Sequence, residues 1–342
     1  MGISRVVGAL PFLLLFAWSW REMNLDQIIS TARPSAESGF IEWGNDNKFA
    51  ILDDFHGVDF LTGSGAAAPP PSPIAAWQTF HFLIDLGPLY AIWILESHRA
   101  ANAWSPAYIP TVFAFVSQLT GAAITMPVFY FLCIVFSPSA SELARSRPPR
   151  RSAWARGNIL LIPLVLVLHT AEVFAMFLAP SYESRHYWTW AWQSTPLLIG
   201  IGNVLAGLAL RLFPGRRIRS PSPSSIQKAM LAVLVLISTA VWVYTITFSP
   251  HPLATLFTPG PEPQDGLVLR SRKAFQADEI GLFSSSFLWL VYSYFDLYLA
   301  GLLSLKGLLY NVASFPIGTL VLGPGSTFAV SWYARELLLG SA

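Results

Sequence analysis

The stretch HFLIDLGPLYAIWILESHR, residues 81–99, decides how this chain is read. With the residues before it, 77–96 form one apolar run, and a helix of about 20 such residues crosses the roughly 30 Å hydrocarbon core of a bilayer. Yet the run holds two carboxylic acids, Asp85 and Glu96. An ionisable group at the centre of a membrane helix costs about 2.5–3.5 kcal/mol on insertion scales, so each acid is a functional candidate by default. At about 100° and 1.5 Å per residue, their spacing returns them to nearly one face about 16 Å apart. One helix is thus expected to present both acids to one cavity. His81 stands a turn before Asp85, Tyr90 and Trp93 lie between the acids, and Gly87-Pro88 invites a kink. The plainer alternatives are a structural hydrogen bond for Asp85 and an interfacial pair with Arg99 for Glu96.

Working outward, the whole chain has the same character. Its 342 residues are 54% hydrophobic and 12% charged, against about 25% charged in a soluble domain. Eight apolar windows follow, near 6–20, 77–96, 108–136, 158–180, 187–212, 228–249, 280–303 and 312–334. The expected fold is an all-α, polytopic membrane bundle of about eight helices, one domain over 1–342. The segment 21–76 reads as a polar loop ending in a Pro/Gly/Ala linker, TGSGAAAPPPSP. The first window is short enough for a signal peptide but lacks a clear small-residue cleavage site and is kept as a helix. The net charge of +2 and scattered basic residues point to membrane topology, not to nucleic acid. The single cysteine, Cys133, excludes an internal disulfide.

Short loops rich in Lys and Arg stay cytoplasmic. Arg145, Arg147, Arg150, Arg151 and Arg156 mark one such loop; Arg216, Arg217 and Arg219 mark another. Eight single crossings then place 21–76 on that same side and both termini on the other. Asp85 and Asp296 fall at equal depth, with Glu96 on the side opposite Asp296. The YWTWAW run at 187–192 fits an interfacial belt.

Two further intramembrane acids complete the set. Glu172 follows His169 by three residues, which puts both on one helical face, a local pair being the bland alternative. Asp296 lies among Tyr292, Tyr294 and Tyr298. Outside the windows, Asp53, Asp54, His56 and Asp59 form an acidic cluster read as a solvated turn, with cation binding as the alternative. Gly323-Pro324-Gly325 and the Arg335-Glu336-Leu337 end read as a helix break and a polar terminus without chemistry. There is no aspartate-rich diphosphate motif, P-loop, H-E-x-x-H or G-x-S-x-G, and neither metal nor cofactor is expected. What remains is carboxyl groups, histidine and many aromatic rings in an apolar setting. That set suits proton-initiated chemistry on an apolar substrate, because ring faces stabilise positive charge without attacking it.

The runs DFHGVDF (54–60), IDLGPLYAIWILESHRAANAW (84–104), QLTGAAITMPVFYFL (118–132) and GPGSTFAVSWYARELLL (323–339) resemble the small integral-membrane terpene cyclases of fungal meroterpenoid and prenylated-polyketide pathways. The resemblance implies a metal-independent, isomerase-type cyclase of the endoplasmic reticulum. Such an enzyme protonates an epoxide or olefin on a farnesyl-type chain carried by a prenylated hydrophobic small molecule. It also implies two working carboxyl groups, placed here as Glu96 with Asp85 or Asp296, and Glu172 as a further candidate. His81, Tyr90, Trp93, His169 and Tyr294 are the expected substrate-binding residues. A secondary-metabolite transporter and a non-catalytic membrane scaffold are the alternative classes.

Overall fold

The computed structural model describes residues 3–30, 40–42, 48–50, 73–154, 161–212, 223–261 and 265–340. The helices are α1 (Ile3–Met23), α2 (Pro73–His98), α3 (Pro110–Thr120), α4 (Ala122–Phe136) and the short α5 (Ala140–Arg145). Then comes α6, built of Leu161–Val165, a π-helical turn Leu166–Ala171 and Glu172–Leu178. The long helices that follow are α7 (Tyr182–Leu212), α8 (Pro223–Phe248), α9 (Gly266–Leu299), α10 (Leu305–Leu322) and α11 (Pro324–Gly340), with single turns at Pro148–Arg151 and Leu253–Phe257 besides. The one sheet among the described residues is a short antiparallel pair, Phe40–Glu42 with Lys48–Ala50. The acidic cluster at Asp53, Asp54, His56 and Asp59 and nearly all of the Pro/Gly/Ala linker lie outside the described residues.

Each helix satisfies its own backbone amides, as a segment in lipid, which offers no hydrogen-bond partners, must do. The outward faces of α1, α7, α8 and α10 expose Leu14, Val204, Leu236 and Leu320, as suits contact with lipid. The central helix is α2: from Gln78 to Ser97 only Phe80 and Leu86 fall short of full burial. A helix apolar all round is one enclosed by others, and α8, α11, α6 and the loop before α3 surround it. Four described helices are long and apolar enough to cross a membrane: Ser4–Ser30, Ser225–Phe248, Val268–Leu299 and Leu305–Leu322.

Two of the expected spans fold back on themselves. The window 108–136 breaks at Gly121, whose φ of 88° terminates α3 and starts α4 in the opposite direction. The two ends of this hairpin meet, the Ser137 hydroxyl donating to Ser105 Oγ at 3.3 Å. Likewise 312–334 breaks at Gly323, φ 85°, into the antiparallel pair α10 and α11. The turn at Gly121 removes one of the eight simple crossings, and the turn at Gly323 shortens another to Leu305–Leu322.

They also change which groups share an end. At one end, Arg5 donates to the Ser137 carbonyl at 2.9 Å, Arg99 bonds the Arg151 carbonyl, and Lys228 stands 5.7 Å over the Trp154 ring. The start of α1, the ends of α2, α4, α9 and α11 and the arginine-bearing loop after α4 therefore gather there. At the opposite end Met23 reaches the Gly121 turn, and Lys273 pairs with Glu22 at 3.3 Å. Contrary to the expectation from eight single crossings, the chain beyond Met23 leaves from the end opposite the arginines, and both described termini lie with them. Because α3–α4 returns to its starting end, α1 and α2 run opposite to the direction expected relative to the arginine loop, whereas α7, α8 and α9 run as expected.

Candidate functional site: an aromatic cavity and a charged chamber

A cavity of about 450 Å³ lies between α2, α3, α6, α7 and α9. Its walls carry Phe82, Tyr90, Trp93 and Trp192 from α2 and α7, with His169 from the π-helical turn of α6 and Asp278 from α9. The α2 residues lie on successive turns, so one helix face lines the cavity from Phe82 to Trp93 over about 16 Å. Tyr90 and Trp93 meet edge to face at 5.9 Å, and the Tyr90 hydroxyl donates to the Pro196 carbonyl at 3.3 Å.

Trp93 also lines a second cavity of about 50 Å³ at the arginine end, where Glu96, Asp296, Arg5 and Arg335 converge. The Trp93 indole donates to the Tyr130 hydroxyl at 2.8 Å, which pairs with Ser286 at 3.0 Å, and Tyr130 stacks on Trp289 at 5.5 Å. Trp93 is thus a fixed partition between an apolar cavity and a charged chamber.

The chamber is organised around Glu96. Its Oε1 accepts from Arg335 at 2.6 Å, Trp332 at 2.8 Å and Arg99 at 2.9 Å, and its Oε2 from Arg99 and Asn102 at 3.0 Å each. Glu336 accepts from Arg99 at 2.6 Å and from Arg335 at 3.1 Å. Two guanidiniums and two carboxylates balance, and with five donors aimed at it Glu96 has no oxygen left to carry a proton. Asp296 accepts from the Ala140 amide at 3.2 Å and lies 3.7 Å from Arg5.

The expected site residues thus separate. Glu96 and Asp296, expected on opposite sides, share one cavity. Asp85, expected to face the same cavity as Glu96, lines neither. Fully buried, it accepts from Ser238 at 2.6 Å and from the Gly325 amide at 2.8 Å, so it locks α2 to α8 and α11. His81 is held 3.3 Å from Asp85 and 3.2 Å from Glu279, which makes a buried charge cluster outside both cavities. Tyr294 is likewise structural in its contacts, donating to the Ser331 carbonyl at 2.6 Å.

His169 and Glu172 do not bond each other as their spacing predicts. The π-helical turn that ends at Ala171 takes more residues per turn and rotates the two apart. Glu172 accepts from Thr195 at 2.9 Å. The His169 Nδ1 accepts from the Trp192 indole at 3.1 Å, and Nε2 lies 2.8 Å from the Leu83 carbonyl. An indole N–H only donates and a carbonyl only accepts, so the imidazole is neutral with its proton on Nε2.

Several residues of the site carried no clear signal. Arg335 and Glu336 read as a polar terminus, yet they complete the Glu96 network. Gly325 packs so closely on Asp85 that an added Cβ would stand 2.7 Å from its carbonyl oxygen. Asp278 and Glu279 fall just before the window that opens at 280, because charges there read as a membrane boundary. The available hint was the run Leu267–Ile280, which contains neither Gly nor Pro and continues the helix.

A helical bundle with apolar helices able to span a membrane, around an aromatic-walled cavity with one carboxyl group, is consistent with a membrane protein. The CtvD domain family matches residues 71–339, and the chain belongs to this family, a family of fungal terpene cyclases. Terpene cyclase ctvD of Aspergillus terreus is 30% identical over 200 residues, 56% of this chain and 51% of that protein. FAD-dependent monooxygenase verC1 of Penicillium polonicum is 30% identical over 268 residues, 75% of this chain but 32% of that protein. FAD-dependent monooxygenase anuJ of Penicillium roqueforti is 23% identical over 274 residues, again 32% of its length. The chain therefore spans about a third of these monooxygenases and about half of the cyclase. No solved structure matches.

Proposed function

We propose that this chain is a membrane-bound terpene cyclase that folds and cyclises a farnesyl-type chain on a prenylated hydrophobic precursor without a metal. The observation that carries this reading is the 450 Å³ aromatic-walled cavity within a member of a terpene cyclase family. Cavities of about 300–1,000 Å³ take ligands of small-molecule size. The ring faces of Tyr90 and Trp93 are placed to stabilise the cation that migrates along the chain. A proton opens the epoxide C–O bond, the nearest π bonds close rings onto the resulting cation, and loss of a proton from carbon ends the reaction. Substrate and product are isomers. That two relatives are named as monooxygenases yet share this region favours the epoxide over the olefin as the protonated group.

Of the four expected acids, we assign Glu96 and Asp296 to the chamber behind Trp93, and Asp85 and Glu172 to holding helices together. Among the rings and imidazoles, Tyr90, Trp93 and His169 belong to the cavity wall, and His81 and Tyr294 to the packed core. The arginine end is assigned to the cytoplasmic face of the endoplasmic reticulum. Microsomes containing the chain are expected to convert a terminally epoxidised farnesyl hydroquinone into a cyclic product of unchanged mass. Export of the compound unaltered from sealed vesicles would support a transporter instead.

A further inference from the structure

We infer that Asp278, a residue with no assigned role, is the carboxyl group that handles the proton in the cyclisation; this rests on the cyclase reading above. Asp278 is the single carboxylic acid among the residues lining the 450 Å³ cavity. The other acids are excluded by their contacts. Glu96 is saturated by five donors, Asp85 is enclosed by Ser238, His81 and the Gly325 amide, Asp296 lies in the 50 Å³ chamber behind Trp93, and Glu172, bonded to Thr195, does not line the cavity. His169 is committed through both ring nitrogens.

The setting of Asp278 is that of a positioned group. Its Oδ1 accepts from the Ala123 amide at 2.6 Å, in the first turn of α4. The Gly121 turn fixes that amide, and an added Cβ at Gly121 would come within 3.2 Å of the same oxygen. The Ala122 amide, in the same turn, also bonds the carboxyl, and the residue as a whole is buried. Two backbone amides of one turn thus hold the carboxyl in a fixed direction on the cavity wall, where it can offer a proton. Gln193, also on the cavity wall, has a buried amide oxygen without a partner, as expected where a polar substrate group completes the bonding.

The step is balanced. The O–H bond of Asp278 breaks as the proton moves to the epoxide oxygen, the C–O bond breaks with its electron pair staying on oxygen, and the alcohol forms. The proton lost from carbon at the end passes to the Asp278 carboxylate and restores the acid, so neither oxidant nor reductant is needed.

The test has two arms on full-length protein in native membranes. In the first, Asp278→Asn keeps an acceptor for the Ala123 amide but cannot donate a carboxyl proton. Cyclisation of the epoxidised farnesyl hydroquinone is expected to fall at least about a hundredfold, the scale of general-acid loss. Melting temperature and binding of the unreactive saturated-chain analogue should stay as in wild type, and Asp278→Glu should restore part of the rate. An active Asp278→Asn protein beside an active wild type overturns the inference and leaves the cyclase reading intact; an inactive wild type overturns the cyclase reading itself. In the second arm, dicyclohexylcarbodiimide, which attacks protonated carboxyls in apolar sites, is followed by peptide mass spectrometry. Label on Asp278, suppressed by the analogue, with Glu96 spared, is the expected result; label on Glu96 and none on Asp278 overturns the inference whatever substrate is native.

Discussion

At the scale of single residues, the charged chamber sets a cost that can be measured. Glu96→Gln leaves the Arg99 and Arg335 guanidiniums short of a counter-charge in a buried site, and breaking a buried pair in this way typically destabilises by about 3–5 kcal/mol. A drop of that order in detergent-solubilised stability, read by thermal melting, is the expected outcome; an unchanged melt would mean the network does not hold the fold. Gly325→Ala tests the lock at Asp85. The new methyl meets the Asp85 carbonyl oxygen at 2.7 Å and its Cβ at 2.8 Å, so α11 must move away from α2. Overpacking of this kind costs about 1–3 kcal/mol, and the variant should melt below wild type. Neither effect was legible in the sequence beyond the observation that acids in apolar runs need partners. Which partners they find depends on residues more than two hundred positions away, such as Arg335 for Glu96.

At the scale of elements, hydrophobic windows located the helices but not their directions. A run of apolar residues looks the same whether it crosses once or turns back, and the only local mark of the turns is Gly121 and Gly323. Gly323-Pro324-Gly325 read as a helix break, as the structure has it, whereas Gly121 followed by Ala122 gave no such mark; the positive φ of each shows where the chain turns. The same blindness placed Glu96 and Asp296 on opposite sides. It also ended the ninth helix early, since Asp278 and Glu279 looked like residues at a surface. The hairpin can be tested covalently. With Cys133 replaced by Ala, the pair Ser105→Cys and Ser137→Cys should form a disulfide on mild oxidation, because the native hydroxyls stand 3.3 Å apart. In a single straight helix those positions would be roughly 48 Å apart at 1.5 Å per residue, and no bridge would form.

At the scale of the whole molecule, the bundle sorts its chemistry by depth. Arginines and the balanced Glu96–Glu336 network close one end, Trp93 and Tyr130 form a floor, and the aromatic cavity extends toward the end where α1 and the α3–α4 turn meet. An epitope inserted in the loop after α5 and one at the amino terminus should be digested from the same side of sealed microsomes, and an epitope inserted at Ile29 from the other. Protection of the first two on opposite sides would contradict the arrangement. The central claim is that cyclisation takes place in the 450 Å³ cavity. Ala274 is buried on its wall, and Ala274→Phe adds a ring to that space without removing any polar contact described. The direct measurement is product formation by wild-type and Ala274→Phe membranes given terminally epoxidised farnesyl hydroquinone, with the amount of folded protein matched. A cyclic isomer from wild type and at least about a tenfold loss in the variant, or about 1.4 kcal/mol, is the result the account predicts. Equal cyclisation by both proteins would contradict it.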